Sequence, residues 1–316
     1  MVKIYQTDLE NNQTKIITNY EKGSWINMVN PTEEEIKEVC SNLNIREDFI
    51  RYSLDSEEKA RIDSEEEDNT ILFIIDVPIK ERENGNEVYT TMPIGLIVVR
   101  DDFFITVSLK NTDLIKSFEN EKRKMITTYK KSRFILQIMY NNSSNFLVAL
   151  KKINKETELA EGTLKTSMQN KELLQLLALE KGLVYITTSL RANEAVMERT
   201  LKIRNIKLYE EDEDILEDAI IENKQALEMS KIYRDILNST MDAYASIISN
   251  NLNGVMKFLT SITIIISIPT LIASLWGMNV PVPMQNHPMG FGILIILSLV
   301  ITGLAVILLN RKGMLK

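Results

Sequence analysis

The chain has one cysteine, Cys40, and one histidine, His287, among its 316 residues. These counts exclude a disulfide framework and a Cys/His zinc cluster within one chain. An enzyme is the least favoured class, because a nucleophile, a base and an orienting group cannot be assembled around a single histidine. The sequence also lacks a Walker-type phosphate loop, so we expect no nucleotide to drive the activity. For this acidic chain, of formal net charge −7, we expect no nucleic acid partner.

Charge is missing from two stretches near the C-terminus. Residues 258–276 and 290–309 contain no Asp, Glu, Lys or Arg. Each stretch has about 19 or 20 residues, which as a helix cover about 30 Å, the thickness of the hydrocarbon core of a bilayer. Both are therefore predicted to be transmembrane helices, with the lipid bilayer as a partner.

The flanking residues predict the orientation of these spans. The N-terminal segment MVKIYQTDLENN lacks the apolar core of a signal peptide, so residues 1–257 are expected in the cytoplasm. Lys257 precedes the first span, Arg311, Lys312 and Lys316 follow the second, and the loop between them has no Lys or Arg. We expect a multi-pass protein of the cell membrane (plasma or inner membrane) with both termini cytoplasmic.

Proline is absent from residue 113 to residue 268, and glycine is scarce there. The composition predicts three long helices, at residues 132–165, 171–207 and 214–276. The third would be about 95 Å long, too long to be buried in one small domain, so we expect a stalk that packs against copies of itself. The second is predicted to have a packed face, formed by Leu173, Leu176, Leu177, Leu183 and Ile186.

Residues 1–109 alternate between strand-like and helix-like segments. The segments VKIYQT, WINMV, TILFIIDVPI, VYTTMPIGLIVV and FFITVSL are rich in Ile, Val, Phe and Thr and predict strands. Pro31 and Thr32, followed by three glutamates, predict a helix over residues 32–43. Gly85 predicts a hairpin turn within residues 81–87. The predicted fold is an α/β cytoplasmic domain, a mixed sheet with helices, followed by long helices and two transmembrane helices.

These patterns divide the chain into seven predicted segments. They are an α/β domain at residues 1–131, a helical hairpin at 132–213, a stalk helix at 214–257, a first transmembrane helix at 258–276, an outer loop at 277–289, a second transmembrane helix at 290–309 and a basic cytoplasmic tail at 310–316.

A line of polar residues, here called the polar stripe, follows the third helix into the first span. Its steps alternate between three and four residues, which places all members on one narrow face. Every member except Met256 is polar, whereas a coiled-coil seam or a lipid-facing surface would carry Leu or Ile. The stripe comprises Ser239, Asp242, Ser246, Ser249, Asn253, Met256, Thr260, Thr263, Ser267, Thr270 and Ser274.

Inside a membrane, this stripe needs water or another polar surface to face. Hydrogen bonding between helices is the competing explanation. The second span, however, offers only Ser298 and Thr302 as polar partners, so water is favoured. Two spans cannot enclose a channel, so several copies are expected around a symmetry axis, with the first span inside. Pro269 leaves the carbonyl of Ile265 without its helical donor, which predicts a bend or a polar backbone site.

Gly277, Met278 and Asn279 directly follow the first span. In this position, before a short loop and a last span, they resemble the CorA family of magnesium transporters, whose hallmark is Gly-Met-Asn. The resemblance extends to NNLNGVMKFLT at residues 250–260 and to WINMVNPTEEEI at residues 25–36. It implies a funnel-shaped homopentamer that conducts hydrated Mg2+, with Co2+, Ni2+ and Mn2+ as further candidate ions.

The resemblance also implies roles for individual residues. Gly277, Met278 and Asn279 would form the outer selectivity filter. Neutral oxygens can hold a hydrated ion without removing its water, and the membrane potential supplies about 4.6 kcal/mol per 100 mV for entry of a divalent ion. The implied pore-lining residues are Asn253, Met256, Leu259, Thr263, Ser267 and Thr270, with a hydrophobic constriction near Met256 and Leu259. The polar stripe adds Thr260 and Ser274 to the predicted pore lining.

Two acidic clusters remain, and a solvated face or a helix start explains most of their members. The resemblance implies intracellular Mg2+ sensing between subunits, for which Asp55, Glu58, Asp218 and Asp242 are candidates. The expected acidic partners of Asp218 instead fall at Arg51 and Tyr52. The clusters comprise Asp55, Glu57, Glu58, Asp63, Glu65, Glu66, Glu67 and Asp68, and then Glu210, Glu211, Asp212, Glu213, Asp214, Glu217 and Asp218.

Two alternatives stay open at this point. The zinc-transporting branch of the same superfamily shares the fold, although Met278 favours magnesium. A non-conducting membrane scaffold or receptor would use the two spans as an anchor, but an anchor needs no water-facing stripe.

Overall fold

The computed structural model describes residues 1–8, 10, 13–65, 69–83, 86–119, 127–167, 170–201, 210–284 and 286–315. They form two compact units, Met1–Asn238 and Ser239–Lys316. The turn predicted at Gly85, and Glu66, Glu67 and Asp68 of the first acidic cluster, lie outside the described residues.

The unit Met1–Asn238 is built on a mixed sheet. Its described strands run in the order β2-β1-β3-β7-β6-β5-β4. Each neighbouring pair is antiparallel except β3 and β7, which are parallel, so the predicted mixed sheet is confirmed. The strands are β1 (Val2–Thr7), β2 (Thr14–Ile17), β3 (Trp25–Val29), β4 (Arg61–Glu65), β5 (Thr70–Glu83), β6 (Asn86–Val99) and β7 (Phe103–Ser108).

Both faces of this sheet are covered by helices. Leu72 and Ile74 of β5 join a core with α1 (Glu33–Leu43) and α2 (Glu47–Tyr52). Phe73 and Ile75 point the other way, because side chains alternate along a strand. They join a second core with residues of α3 (Asp113–Glu119), α4 (Lys131–Ser167), α5 (Asn170–Thr200) and the first turns of α6 (Glu210–Trp276). Burial on both faces explains why the central strands are almost continuously apolar.

The predicted helix at residues 32–43 is confirmed as α1 with Thr32 as its N-cap. The Thr32 side chain accepts a hydrogen bond from the backbone N–H of Glu35 at 3.2 Å, and Glu35 Oε2 accepts one from the backbone N–H of Thr32 at 2.9 Å. This reciprocal capping satisfies two donors that the first turn leaves without helical partners. The acidic first turn also complements the helix dipole.

The three long helices exist with shifted ends. The first predicted helix corresponds to α4, and the third is continuous as predicted but begins at Glu210 instead of residue 214. The second helix was predicted to reach residue 207. It corresponds to α5, which ends at Thr200, so the prediction is wrong for residue 201. Residues 202–207 lie outside the described part of the chain. Leu176, Leu183 and Ile186 of α5 are buried as predicted, but Leu177 is exposed.

Three described helices are long and apolar enough to cross a membrane. They are residues 171–200 of α5, residues 211–276 of α6, and α7 (Gly290–Arg311). The apolar composition of α5 is explained by burial inside the protein and not by a membrane. Leu176, Leu183, Ile186 and Leu190 are buried in the unit Met1–Asn238, where α5 packs on β5 and β6. We therefore assign α5 to the core of this unit and keep the two predicted spans.

Candidate ion pathway

The C-terminal part of α6 and α7 form an antiparallel pair within the unit Ser239–Lys316. At one end, Ser261 Oγ donates a hydrogen bond to the backbone oxygen of Met314 at 3.0 Å. At the other end, Trp276 Nε1 donates to the backbone oxygen of Pro283 at 3.1 Å, and the indole lies beside Gly290. The less exposed side chains form one face on each helix: Ser261, Ile262, Ile265, Ile268 and Ile272 on α6, and Leu294, Ser298, Thr302, Ala305 and Leu309 on α7.

The polar stripe lies on the other side of α6. At about 100° per residue, its members Thr263, Ser267, Thr270 and Ser274 are roughly opposite the face that Ser261, Ile265 and Ile272 form. The structure leaves these stripe residues exposed. Since α7 covers the apolar face, the stripe stays available to water or to other copies of the chain.

The hydroxyl groups of the stripe donate hydrogen bonds back to the helix. Four of them within the span bond to the carbonyl oxygen four residues earlier, which uses the single hydrogen of the hydroxyl and leaves its oxygen as an acceptor. A hydrated cation presents water hydrogens outward, so acceptors of this kind suit it. The hydrogen bonds run from Thr260 to Met256 at 2.7 Å, from Thr263 to Leu259 at 2.9 Å, from Ser267 to Thr263 at 2.7 Å and from Thr270 to Ile266 at 2.9 Å.

A shallow groove follows the stripe through the middle of the span. Thr263, Ser267, Thr270 and Ser274 line it together with isoleucine and leucine side chains. Pro269 lies within this segment of α6, which remains helical on both sides of it. Met256 and Leu259, the predicted constriction, are exposed one to two turns earlier on α6.

The Gly277, Met278 and Asn279 segment begins where α6 ends at Trp276. The backbone N–H of Gly277 still donates to the carbonyl of Ala273 at 2.9 Å, and the three residues then form an exposed turn. His287 lies in the loop as predicted, and its Nδ1 accepts a hydrogen bond from the backbone N–H of Met289 at 3.2 Å. The side chain of Asn279 is therefore exposed at the end of the α6–α7 pair where the loop joins the two helices.

A glycine that the sequence did not single out closes this loop. A Cβ atom on Gly290 would lie 2.6 Å from the backbone oxygen of Met284 and 3.5 Å from Cζ2 of Trp276. Real Cβ atoms do not approach a carbonyl oxygen so closely, so only glycine fits here.

Replacing Gly290 by alanine should consequently displace the loop and lower the thermal midpoint of unfolding. Gly292→Ala is the matched control, since a Cβ there meets no atom within 4 Å and alanine favours the helix. Thermal unfolding in detergent measures the effect. Equal behaviour of the two variants would contradict the close contact.

Two of the four candidate sensing residues, Asp55 and Glu58, lie between α2 and β4, and the other two lie on α6. Asp55 Oδ1 accepts the backbone N–H of Glu57 at 2.9 Å, and Glu58 pairs with Arg61. Asp218 and Asp242 are exposed on α6. Within the described residues, no group of three or more His, Cys, Asp or Glu is arranged to hold a metal. The regulatory site thus stays a prediction about neighbouring copies.

Part of the second acidic cluster has a structural role that the sequence did not indicate. Asp212 is buried, and its Oδ1 lies 2.8 Å from Nε of Arg133, whose Nη2 lies 2.6 Å from Glu211 Oε2. These contacts hold the start of α4 against the start of α6. Arg133 and Asp212 are 79 residues apart, which is why local sequence patterns could not pair them.

Arg51 and Tyr52, which stand where acidic residues were expected, have local partners. The Arg51 guanidinium forms ion pairs with Glu33 at 2.7 Å and with Glu47 at 2.9 Å. The guanidinium of Arg61 lies over the Tyr52 ring at 4.9 Å from its centroid. A positive charge at Arg51 does not suit a cation ligand.

Comparison with known proteins supports the features described above. The cobalt/magnesium transport protein CorA of Methanocaldococcus jannaschii is 29% identical over 300 residues, which cover 92% of this chain and 90% of that protein. The complete structure of the CorA magnesium transporter from the same organism matches with a TM-score of 0.83 at 24% identity, over 99% of this chain and 98% of that chain. It confirms the predicted fold of a soluble mixed-sheet domain followed by long helices.

A second solved structure shares part of this fold. The cytoplasmic domain of ZntB from Vibrio parahaemolyticus has a TM-score of 0.62 at 11% identity, and the match covers 78% of this chain and 98% of that chain. The family model described as CorA-like Mg2+ transporter protein matches residues 20–311, nearly the whole sequence. This chain therefore belongs to the family of CorA-like Mg2+ transporter proteins, as its Gly-Met-Asn segment and two apolar C-terminal helices predicted.

Proposed function

We propose that this chain is one subunit of a passive channel that admits hydrated Mg2+, and also Co2+, Ni2+ or Mn2+, down the membrane potential. The observation that carries the proposal is the position of the polar stripe on the face of α6 opposite to α7. Its hydroxyl oxygens are left as acceptors, because their hydrogens are bound to the helix backbone. Such a surface suits a water-filled path better than a helix–helix seam or lipid.

In this proposal, several copies surround one axis with α6 inside and the more apolar α7 outside. Closed rotational symmetry is the usual solution for identical subunits, and the family resemblance favours a homopentamer with a funnel-shaped cytoplasmic part. The lysines and arginine that flank the spans favour cytoplasmic termini in a cell membrane. The seven segments predicted above remain the proposed domain division of each subunit.

The proposed path runs from the Gly277, Met278 and Asn279 segment along the stripe to Asn253. A ring of Asn279 amides would hold the hydrated ion by hydrogen bonds to its water, so that the ion need not lose its shell. Thr270, Ser267, Thr263 and Thr260 would then offer hydroxyl oxygens along the span. Met256 and Leu259 would narrow the path at its inner end, where dewetting can close it.

Mg2+ is the proposed cargo, and regulatory Mg2+ between Asp218, Asp242, Asp55 and Glu58 of neighbouring copies is a separate proposal. Zn2+ is the alternative cargo, but the segment Gly277, Met278, Asn279 carries the methionine that favours Mg2+. No observation on this chain favours the non-conducting scaffold.

The test is Mg2+ entry into liposomes that contain the full-length protein and a Mg2+-sensitive dye. With a negative internal potential, the parent should admit Mg2+, and Asn279→Ala should abolish this entry or make it unselective among Mg2+, Co2+ and Zn2+. Asn310→Ala is the matched control, because Asn310 is an exposed asparagine at the other end of the α6–α7 pair.

A parent protein that admits no divalent ion at any internal Mg2+ concentration would exclude the channel. Entry of Zn2+ in preference to Mg2+ would favour the zinc-transporting alternative. Unchanged selectivity in Asn279→Ala would exclude Asn279 as the filter while leaving the channel itself in place.

A further inference from the structure

A cavity of about 460 Å³ lies within the unit Met1–Asn238, apart from the proposed ion path. Its walls are the end of β5, the connection from β7 to α3, and the middle of α4. This volume falls in the range of small-molecule sites. Nothing in the proposed transport mechanism uses the cavity.

The charge of this cavity is opposite to that of the whole chain. Five basic side chains line it, together with only the acidic residues Glu81 and Asp113. The lining therefore carries a formal charge of +3, from five positive and two negative groups, in a chain of formal net charge −7. The basic lining residues are Lys80, Arg82, Lys110, Lys116 and Lys152.

Internal ion pairs hold two of these cations in fixed positions. Lys80 Nζ lies 2.5 Å from Glu87 and 2.9 Å from Glu156. Burial lowers the pKa of Lys80, but the hydrogen bonds to both glutamates outweigh this effect and raise it above its usual value. Lys110 Nζ lies 2.5 Å from Glu81 Oε1. These contacts anchor both lysine side chains.

The other charges are less compensated. Lys116 lies 3.4 Å from an almost fully exposed Asp113, a pair that contributes little in water. Lys152 is exposed on α4 and forms no ion pair with any other described residue. Counting Glu87 and Glu156, the partners of Lys80, reduces the formal charge of the cavity from +3 to +1, and this remaining positive charge in a concave wall attracts a counter-ion.

An unused polar atom belongs to the same wall. Asn111 lines the cavity, and its Nδ2 donates to Glu119 Oε2 at 3.1 Å, which fixes the orientation of the amide. Its Oδ1 is buried and finds no donor among the described residues. A buried acceptor without a donor is costly, and ionised phosphate groups cannot donate to it, so only a hydroxyl or amino group of a nucleotide would satisfy this atom.

We propose that this cavity binds a compact polyphosphate anion in its metal-free form, either an inorganic polyphosphate or the phosphate tail of a nucleotide. Several phosphate groups place the required negative charge within one small volume, and lysine and arginine recognise them by charge-assisted hydrogen bonds. Bound Mg2+ neutralises part of that charge, so the magnesium complex binds more weakly. The anion is bound and not hydrolysed, in keeping with the lack of a Walker-type loop.

Isothermal titration calorimetry of the full-length protein in detergent tests the proposal, with sodium tripolyphosphate and ATP as separate probes in EDTA. The parent should bind at least one of them. The double variant Lys116→Gln and Lys152→Gln should weaken binding by about tenfold or more, a loss typical of removing two charged partners. The matched control is the double variant Lys151→Gln and Lys155→Gln. It removes two exposed lysines of α4, the helix of Lys152, that lie outside the cavity, and it should bind the probes within about threefold of the parent.

Each outcome is decisive. Binding of tripolyphosphate as well as ATP shows that the phosphates suffice, whereas binding of ATP alone assigns the site to nucleotides. No binding of either probe, or equal weakening in both double variants, would overturn the site. Binding that excess Mg2+ leaves unchanged would overturn the metal-free preference. Because calorimetry does not measure transport, failure here is distinguishable from failure of the proposed channel.

Discussion

Replacing Thr263 and Thr270 together by valine is expected to lower Mg2+ influx by about tenfold or more. Valine keeps the shape of threonine but removes the hydroxyl oxygen that each side chain presents on the polar stripe. Every subunit then presents two apolar side chains, one on each side of Ser267, which makes the proposed path less favourable for water. A rise of 1.4 kcal/mol in the barrier is enough for a tenfold slower passage.

The same substitution at Thr302 provides the matched control. Thr302 lies on the α6-facing side of α7, and its hydroxyl donates to the backbone oxygen of Ser298 at 2.8 Å. Thr302→Val should leave influx close to that of the parent, measured in the same liposomes at equal protein incorporation. If both variants conduct like the parent, the stripe does not line the path, and hydrogen bonding between helices becomes the better explanation of it.

Arg133→Met should destabilise the unit Met1–Asn238 by about 3 kcal/mol, because the buried Asp212 then loses its ion pair with Arg133. For a unit of this size, such a loss lowers the thermal midpoint by about 10 °C. The fluorescence of the buried Trp25 reports this transition, provided that Trp276 is replaced by phenylalanine in all the proteins compared.

The control for Arg133 is Arg234→Met in the same unit. Arg234 lies 3.5 Å from Asp235, whose side chain is 71% exposed, and an exposed pair of this kind contributes less than about 1 kcal/mol. Its midpoint should therefore stay near that of the parent. A midpoint for Arg133→Met equal to that of the Arg234 variant would mean that Asp212 is stabilised by its other contacts.

The elements missed by sequence reasoning share a physical cause. β2 and β4 are the two edge strands of the sheet, and edge strands are short and rich in charge, as in RIDSE of β4. α2 has 6 residues and α3 has 7, fewer than a helical periodicity needs to become visible. The central strands β5 and β6 were predicted because burial on both faces makes them long apolar runs.

The sequence predicted those parts of the candidate site that are local patterns, and it missed those that depend on contacts between distant residues. The stripe and the Gly277, Met278 and Asn279 segment could be read directly, because both are local patterns. Gly290 was missed because its requirement arises from the carbonyl of Met284 and the ring of Trp276, which approach it only in the folded loop. The basic cavity was missed because its walls come from three segments between residues 77 and 152.

The sequence by itself determined the helical periodicity, the two uncharged spans, the polar stripe and the family, since each depends on residues that are neighbours along the chain. Only the tertiary structure decided the rest: that β3 pairs in parallel with β7, that α5 is a core helix, and that α7 covers the face of α6 opposite to the stripe. It also decided that Arg133 neutralises Asp212. These contacts join residues far apart in sequence, and their free energy comes from burial and ion pairing that exist only after the chain has folded.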